Sequence, residues 1–581
     1  MRWATAVLLA VLGAVPAIAQ APERQPDIVL ILVDDAALMD FGVYGGEART
    51  PNIDALAAGG ALFTQYYTSP LCSPSRAMLL TGMDNHMTGI ATIPEVLPKE
   101  HVGQPGYTMH LEPGVLTLAD RLGAAGYRTL MTGKWHLGSG AGDLPDHHGF
   151  ERSFALDASG ADNWDDKSYM PYYADAPWYE DGKPASLPEE FYSSTFIVDK
   201  MMDYIDEGAP ETPIFAYLAF QAIHIPVQAP PEITASYAGV YDEGWHELRY
   251  QRWLRARQLD LIPQDAPLAA FPEDFRSWDS LTEEEQAVYA ARMQVNAAMM
   301  EAMDREIGRF IDYLGSTGRL ENTIFVVTSD NGPEPTRGDD DWRLSLWMKT
   351  HGYHIGIDGV GEAGSWGFIG PEWAMAAASP HNLFKFHGSE GGIRAPLIMS
   401  GTGVPVGERI EGRAMVSDIA PTLIDMAGVS PGEPGMTGRS LAPMITGAAE
   451  SVYGPDDVIG IEVSGNSAIV KGRWKITRNQ LPHGDGQWRL YDIAADPGET
   501  RDLSAAEPDV FEDMLAEYAA YSARVGVLEV PEGYDQAAQL AHNAQMKQLK
   551  HLAPWLGGIV LGLMALVYLL VRWWRGRRVA A

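Results

Sequence analysis

Four short apolar runs, each stopping abruptly at charged or amide residues, constrain this chain more than any other feature. Residues 28–33 end at Asp34-Asp35, and residues 129–132 end at Gly133-Lys134-Trp135-His136. Residues 215–220 are followed by Gln221 and His224, and residues 324–328 by Ser329-Asp330-Asn331. Apolar runs of this length, without polar alternation, suit strands buried on both faces, as in a parallel sheet covered by helices. A helical pattern lies between the last two runs. It opens at the capping box Thr282-x-x-Glu285; further along, Met300, Met303, Ile307, Phe310 and Leu314 recur at helical spacing, and Gly315 offers a stop. The expected body is therefore a large layered α/β domain. In open α/β sheets ligands bind beyond the carboxyl ends of the strands. Such a fold would gather Asp34, Asp35, Lys134, His136, His224, Asp330 and Asn331 at one edge.

After about residue 450 the texture changes. Residues 458–463, 467–470, 474–478 and 488–491 read as short strands with turns at Gly472 and Gly484-Asp485-Gly486, which predicts a small antiparallel sheet. Residues 506–521 read as a helix against it. Residues 534–549 read either as a helical stalk or as a flexible linker.

The two ends read differently from the body. Arg2, an apolar run over residues 4–15 and the small-x-small site Ala17-Ile18-Ala19 predict a secretory signal over 1–19, cut before Gln20. Residues 552–571 carry no charge and are followed by Arg572, Arg575, Arg577 and Arg578. That pattern predicts a transmembrane helix with a cytoplasmic tail over 572–581. The expectation is a single-pass type I protein of the inner or plasma membrane, its body periplasmic or otherwise extracytoplasmic, and the membrane itself a partner through this helix.

Charge excludes one class of partner. Lys plus Arg number 42 against 77 Asp plus Glu, a net −35 over 581 residues. Non-specific nucleic-acid binding needs a basic surface, so no nucleic-acid partner is expected. Such a balance also makes an anionic substrate odd unless the site is locally basic. The one cysteine, Cys72, excludes an intrachain disulfide framework.

Cys72 opens the segment Cys72-Ser73-Pro74-Ser75-Arg76-Ala77-Met78-Leu79-Leu80-Thr81-Gly82. Pro74 suits a first helical turn and Gly82 a helix end. The segment resembles the sulfatase signature Cys-x-Pro-Ser-Arg-x-x-x-Leu-Thr-Gly at every fixed position. The resemblance covers about residues 26–503 and looks nearest to bacterial arylsulfatases. It also rests on Thr50-Pro51-Asn52-Ile53-Asp54, Gly133-Lys134-Trp135-His136-Leu137-Gly138, Ala222-Ile223-His224-Ile225-Pro226, Ser329-Asp330-Asn331-Gly332 and residues 385–396.

The resemblance implies an alkaline phosphatase-like fold: a mixed, mainly parallel sheet sandwiched by helices over 20–449. The antiparallel subdomain would follow over 450–530, a stalk or linker over 531–551, and the membrane helix. It implies a sulfuric ester hydrolase acting on a small sulfate ester, and a maturation enzyme that converts Cys72 to Cα-formylglycine. It implies a metal held by Asp34, Asp35, Cys72, Asp330 and Asn331. Oxygen donors of this kind suit a hard cation: Ca²⁺ as the family's usual ion, with Mg²⁺ or Mn²⁺ as alternatives.

The resemblance also distributes roles. A hydrated aldehyde offers two hydroxyls, one to attack sulfur and one to drive elimination of sulfate, a step a serine could not perform. Arg76 would pair with the nucleophile oxygen and the metal-bound carboxylates. Lys134 and Lys385 would neutralise sulfate oxygens. His136 would act as base in the elimination and His224 as general acid toward the leaving oxygen. His351, His354, His381 and His387 lie near Lys385 in sequence and are further candidates to border the pocket. Loops 157–190 and 230–279, rich in Trp and Tyr, serve either to stack on a substrate ring or as ordinary surface packing. Two alternatives remain: a phosphonate or phosphate ester hydrolase of the same superfamily, and a membrane-tethered binding protein with a dead site. The pair Asp330-Asn331 argues against the first, whose members more often carry His at the second position.

Overall fold

The computed structural model describes residues 24–339 and 341–579, excepting the side chains of 554–556, 559 and 576–579. The expected signal segment 1–19 lies outside these residues.

The main sheet has ten strands: β1 (Asp27–Val33), β2 (Gly60–Phe63), β3 (Arg128–Lys134), β4 (Arg152–Leu156), β5 (Trp178–Glu180), β6 (Lys183–Pro184), β7 (Ile214–Ala219), β8 (Thr323–Ser329), β9 (Leu397–Gly401) and β10 (Glu408–Ile410). Their spatial order is β10-β2-β9-β8-β1-β7-β3-β4-β5-β6. The four apolar runs are its four central neighbours, β8-β1-β7-β3, and all pair in parallel. Every residue of β1, β7 and β8 is buried. This is why these runs show no alternation: both faces are covered. The antiparallel pairings, β9 with β8 and β2 and β5 with β4 and β6, make the sheet mixed.

Five helices matter for the site and its surroundings: α1 (Cys72–Thr81), α2 (Glu283–Ser316), α3 (Trp342–Thr350), α4 (Pro508–Val525) and α5 (Gln536–Val579). The capping box at α2 forms as expected. Thr282 Oγ1 accepts from the Glu285 backbone N–H, and Glu285 Oε2 accepts from that of Thr282. Such a cap contributes about 1 kcal/mol. Met300, Met303, Ile307, Phe310 and Leu314 are buried in the main hydrophobic core, and the helix runs one residue past Gly315.

The C-terminal subdomain is a four-stranded antiparallel meander: β11 (Val458–Val463), β12 (Asn466–Lys471), β13 (Trp474–Arg478) and β14 (Trp488–Asp492). Met514, Tyr518 and Tyr521 of α4 pack on Ile469, Ile476 and Leu490. Buried polar contacts bind it to the larger domain. Lys475 Nζ lies 2.8 Å from both Glu390 Oε1 and Glu499 Oε1. His86 Nε2 lies 2.7 Å from Glu462 Oε2.

The last helix corrects two expectations. Among the described residues, no helix is long and apolar enough to cross a membrane. The transmembrane helix at 552–571 is therefore not supported. Nor are the single-pass topology and the inner- or plasma-membrane localisation built on it. The segment read as a stalk or linker is instead docked on the catalytic domain. Tyr534 donates to the Val96 carbonyl at 2.6 Å, and Asn543 Nδ2 to the Glu95 and Leu97 carbonyls at 3.0 Å.

Candidate active site

The parallel register aligns the polar strand ends. Val33 of β1 stands opposite Ser329 of β8, so Asp34-Asp35 and Asp330-Asn331 leave the sheet side by side. Asp35 turns back in a left-handed conformation, φ 68°, and its backbone N–H donates to Asp330 Oδ1 at 3.1 Å. Next to them β7 leads to His224, and β3 ends on Lys134 with His136 two residues on. Gly133 permits this close approach: a Cβ there would meet the Ala219 carbonyl at 1.9 Å. Cys72 is the first residue of α1, whose C-cap Gly82 is left-handed as the motif suggested.

All ten expected residues converge. Cys72 Sγ lies 3.6 Å from Asp34 Oδ1 and 3.8 Å from Asp35 Oδ1. Lys134 Nζ lies 2.6 Å from Asp34 Oδ2. Arg76 Nη2 is 2.8 Å from Asp330 Oδ2 and 3.5 Å from Asp34 Oδ2. Lys385 Nζ is 2.8 Å from Asp35 Oδ1 and 2.7 Å from Glu334 Oε2. His224 Nε2 is 3.6 Å from Asp35 Oδ2, and its Nδ1 is 2.6 Å from the Ile225 carbonyl. Asn331 Nδ2 donates to Asp35 Oδ1 at 2.6 Å.

The electrostatics follow from burial and crowding. Burial opposes the charge on Asp34, yet Lys134, Arg76 and Lys385 hold its carboxyl below the ordinary value. Asp35 is pushed up to about 7 by burial, against Lys385 and reinforced by the Asp34 and Glu334 carboxylates. Burial pushes the Cys72 thiol well above its ordinary value, against the pull of Lys134 and Lys385. Burial and the Lys134 charge drive both His136 and His224 far down, so both imidazoles are neutral. Three cations, Arg76, Lys134 and Lys385, thus sit in one buried cluster of a strongly acidic chain. That answers how an anion could be received.

The donor set fits a hard divalent cation. Asp34, Asp35, Cys72 and His224 place ligand atoms within 4.8 Å of one another. Asn331 Oδ1 is buried with no hydrogen-bond partner among the described residues. A buried amide oxygen beside crowded carboxylates is the chemistry that an oxygen-seeking cation relieves.

Cys72, His136, His224 and Lys385 open onto a cleft of about 820 Å³. From loop 157–190, Ser159, Tyr169, Met170 and Pro171 line it, whereas no residue of loop 230–279 does. Trp245 and Trp278 of that second loop are buried against Trp373 instead. His351, His354, His381 and His387 do not line the cleft. His387 is turned to the Lys385 and Phe384 carbonyls. Three lining carboxylates went unforeseen: Glu334, Asp341 and Glu95. Glu334 follows Asp330 by four residues in the same strand-end loop, a proximity that could have flagged it. Glu95 had no local signal.

Comparison with known proteins agrees with this geometry. The family model described as Sulfatase matches residues 26–429. An uncharacterized sulfatase of Schizosaccharomyces pombe is 34% identical over 89% of this chain and 96% of its own length. The arylsulfatase of Klebsiella aerogenes is 36% identical over 75% of this chain and 93% of its own. A protein solved with its substrate D-glucosamine-2-N,6-O-disulfate shares the fold at 21% identity, with a TM-score of 0.57 over 87% of this chain and 98% of its own.

Proposed function

This chain belongs to the sulfatase family of sulfuric ester hydrolases, and from that premise we propose that it is an arylsulfatase-type enzyme working through a formylglycine made from Cys72 and a bound Ca²⁺. The observation that carries this is the placement of Cys72 Sγ within 3.8 Å of two carboxylates, among three buried cations, at the floor of an open cleft. A maturation enzyme supplies the modified residue. Asp34, Asp35, Asp330 and Asn331 would hold the cation.

When present, the modified residue and the cation together supply a hydroxyl nucleophile for sulfur and a Lewis acid that polarises it. The remaining work falls to side chains of this chain. Lys134 and Lys385 neutralise the sulfate oxygens, and their charge is preorganised by the carboxylates that hold them. Arg76, fixed between Asp34 and Asp330, keeps the nucleophile's side chain in register with the metal carboxylates. His136 has both ring nitrogens buried and without a hydrogen-bond partner among the described residues, which suits a base that takes a proton as sulfate departs. His224, whose Nδ1–H is held by the Ile225 carbonyl, takes a proton at Nε2 from solvent as the anionic ester binds and hands it to the leaving oxygen as the S–O bond breaks. Approach of the anionic ester offsets Lys134 and Lys385, whose charges reinforce burial in keeping that imidazole neutral beforehand.

The test is to compare kcat/KM for 4-nitrophenyl sulfate and a phenyl phosphonate ester. The sulfate is expected to be the better substrate. A higher value for the phosphonate would assign the chain to the phosphonate branch, and turnover of neither would leave a binding role.

A further inference from the structure

The cleft that holds Cys72 is not closed by the catalytic domain alone. One wall is the start of α5, through Ala538, Leu540, Ala541, Ala544, Gln545 and Gln548. The docking contacts explain how. Gln539 and Asn543, one turn apart, bond the backbone of segment 94–97, and Tyr534 OH bonds Val96 there too. That fixes the helix rotation. Ala538, Ala541, Gln545 and Gln548, at helical spacing on a neighbouring stripe, then line the cleft.

Most of the surface of the other walls is apolar, with Glu334, Thr336, Asp341, Arg343 and Thr350 as polar members. Trp342, Leu346 and Trp347 of α3, with Met170, Trp366 and Phe386, line it as well. Trp342 is 70% and Leu346 55% exposed, large apolar side chains left open at a cleft rim. Several polar groups among these walls are already engaged: Thr336 Oγ1 donates to Glu334, Thr350 Oγ1 donates to the Trp347 carbonyl, and Asp341 Oδ1 accepts from the Arg343 backbone N–H. Tyr169 OH pairs with Ser159 Oγ at 3.0 Å, and Trp366 Nε1 donates to the Tyr169 carbonyl at 2.6 Å. Glu95 Oε1 accepts from Tyr173 OH at 2.6 Å. A hydroxyl-rich sugar ring entering here would lose water over a mainly apolar surface and find partners chiefly at Arg343, Gln545 and Gln548, at the edges of that surface, which is costly for the hydroxyls left unmet. A flat apolar ring system would lose nothing and gain contact with indole and aliphatic faces. The volume, about 820 Å³, is in the range that takes drug-sized ligands of about 300–1,000 Å³.

We propose that the first turns of α5 are a specificity-determining wall, selecting sulfate esters whose leaving group is a large, apolar, ring-bearing alcohol rather than a sugar. This rests on the reading of the cleft as a sulfate-ester hydrolase site. The test uses the full chain carrying Cys72→Ala, in which ligand binding is measured without turnover by calorimetry. 4-Methylumbelliferyl sulfate is expected to bind at least about thirtyfold more tightly than glucosamine 6-sulfate. Adding Ala541→Trp or Gln545→Trp, both at exposed lining positions, should weaken the aryl ester at least about tenfold by filling the cleft. Ala537→Trp, exposed but outside the lining, should change it by less than about twofold. Equal or tighter sugar binding, or lining variants that behave like Ala537→Trp, would overturn the proposal. Sulfate release by the unsubstituted chain is measured in parallel. The expected binding pattern without any release would sink the hydrolase reading alone. Release from both esters, with no effect of the α5 variants, would sink this inference alone.

Discussion

Lys385 Nζ stands 2.8 Å from Asp35 Oδ1, and the same ammonium is 2.7 Å from Glu334 Oε2. One buried cation is therefore shared between two buried carboxylates, one expected to bind metal and one facing the cleft. Burial alone would lower its charge affinity, but the Asp35 carboxylate and the others nearby hold the ammonium charged well beyond its ordinary range.

Removing that ammonium should have separable effects on fold and chemistry. Lys385→Met leaves two buried acids uncompensated and should destabilise the protein by about 3–5 kcal/mol in urea unfolding. The double variant Lys385→Met with Glu334→Gln should recover part of that stability. It should not recover turnover, which should stay at least about a hundredfold down in kcat. Recovery of both would make Lys385 structural only.

Chelation should abolish sulfate release, and added Ca²⁺ should restore it. Asn331→Ala removes the orphaned amide oxygen and should raise the Ca²⁺ concentration for half-maximal activity by at least about tenfold. An unchanged Ca²⁺ dependence would remove Asn331 from the ligand set. Better restoration by Mn²⁺ than by Ca²⁺ would reassign the ion.

The contact between domains should weaken at alkaline pH. Burial opposes charge on His86, but hydrogen bonds to Asp84 and Glu462 outweigh it and raise its pKa to about 9. The folded value lies above the unfolded one of about 6.5. The stabilisation is therefore fully present below about pH 6.5 and is lost as pH rises through 9, with a ceiling of about 3 kcal/mol. Urea midpoints measured from pH 6 to 10 should fall across that window, and His86→Gln should flatten the fall. A wild-type profile flat from pH 6 to 9.5 would contradict it.

The central strands and the residues at their ends were legible because both are local signals. An uninterrupted run such as 324–328 announces a strand covered on both faces, and Asp330-Asn331 directly follows it. The meander was legible for the same reason: glycine turns separate short β-rich runs, and β11 and β13 fall where the pattern put them. What stayed hidden depends on distant partners. Nothing around Glu95 says that residues more than four hundred positions later will dock on its backbone. Gln539 and Asn543 look like ordinary polar positions of a linker until the Leu97 carbonyl is seen beneath them. The aromatic loops left two readings open, because a tryptophan that stacks on a ligand and one that packs on Trp373 have the same local sequence signature. Residues 552–571 misled: an uncharged run beside arginines is a local pattern, whereas no helix among the described residues is long and apolar enough to cross a membrane.

The central claim is that Cys72 is a precursor and not a thiol at work. It is tested most directly by the mass of the peptide containing Cys72, from protein made in its native source. Conversion to formylglycine replaces the thiol group by an aldehyde oxygen, and the account predicts a mass lower by about 18 Da. A peptide carrying only the intact thiol, in protein that releases sulfate, would contradict it.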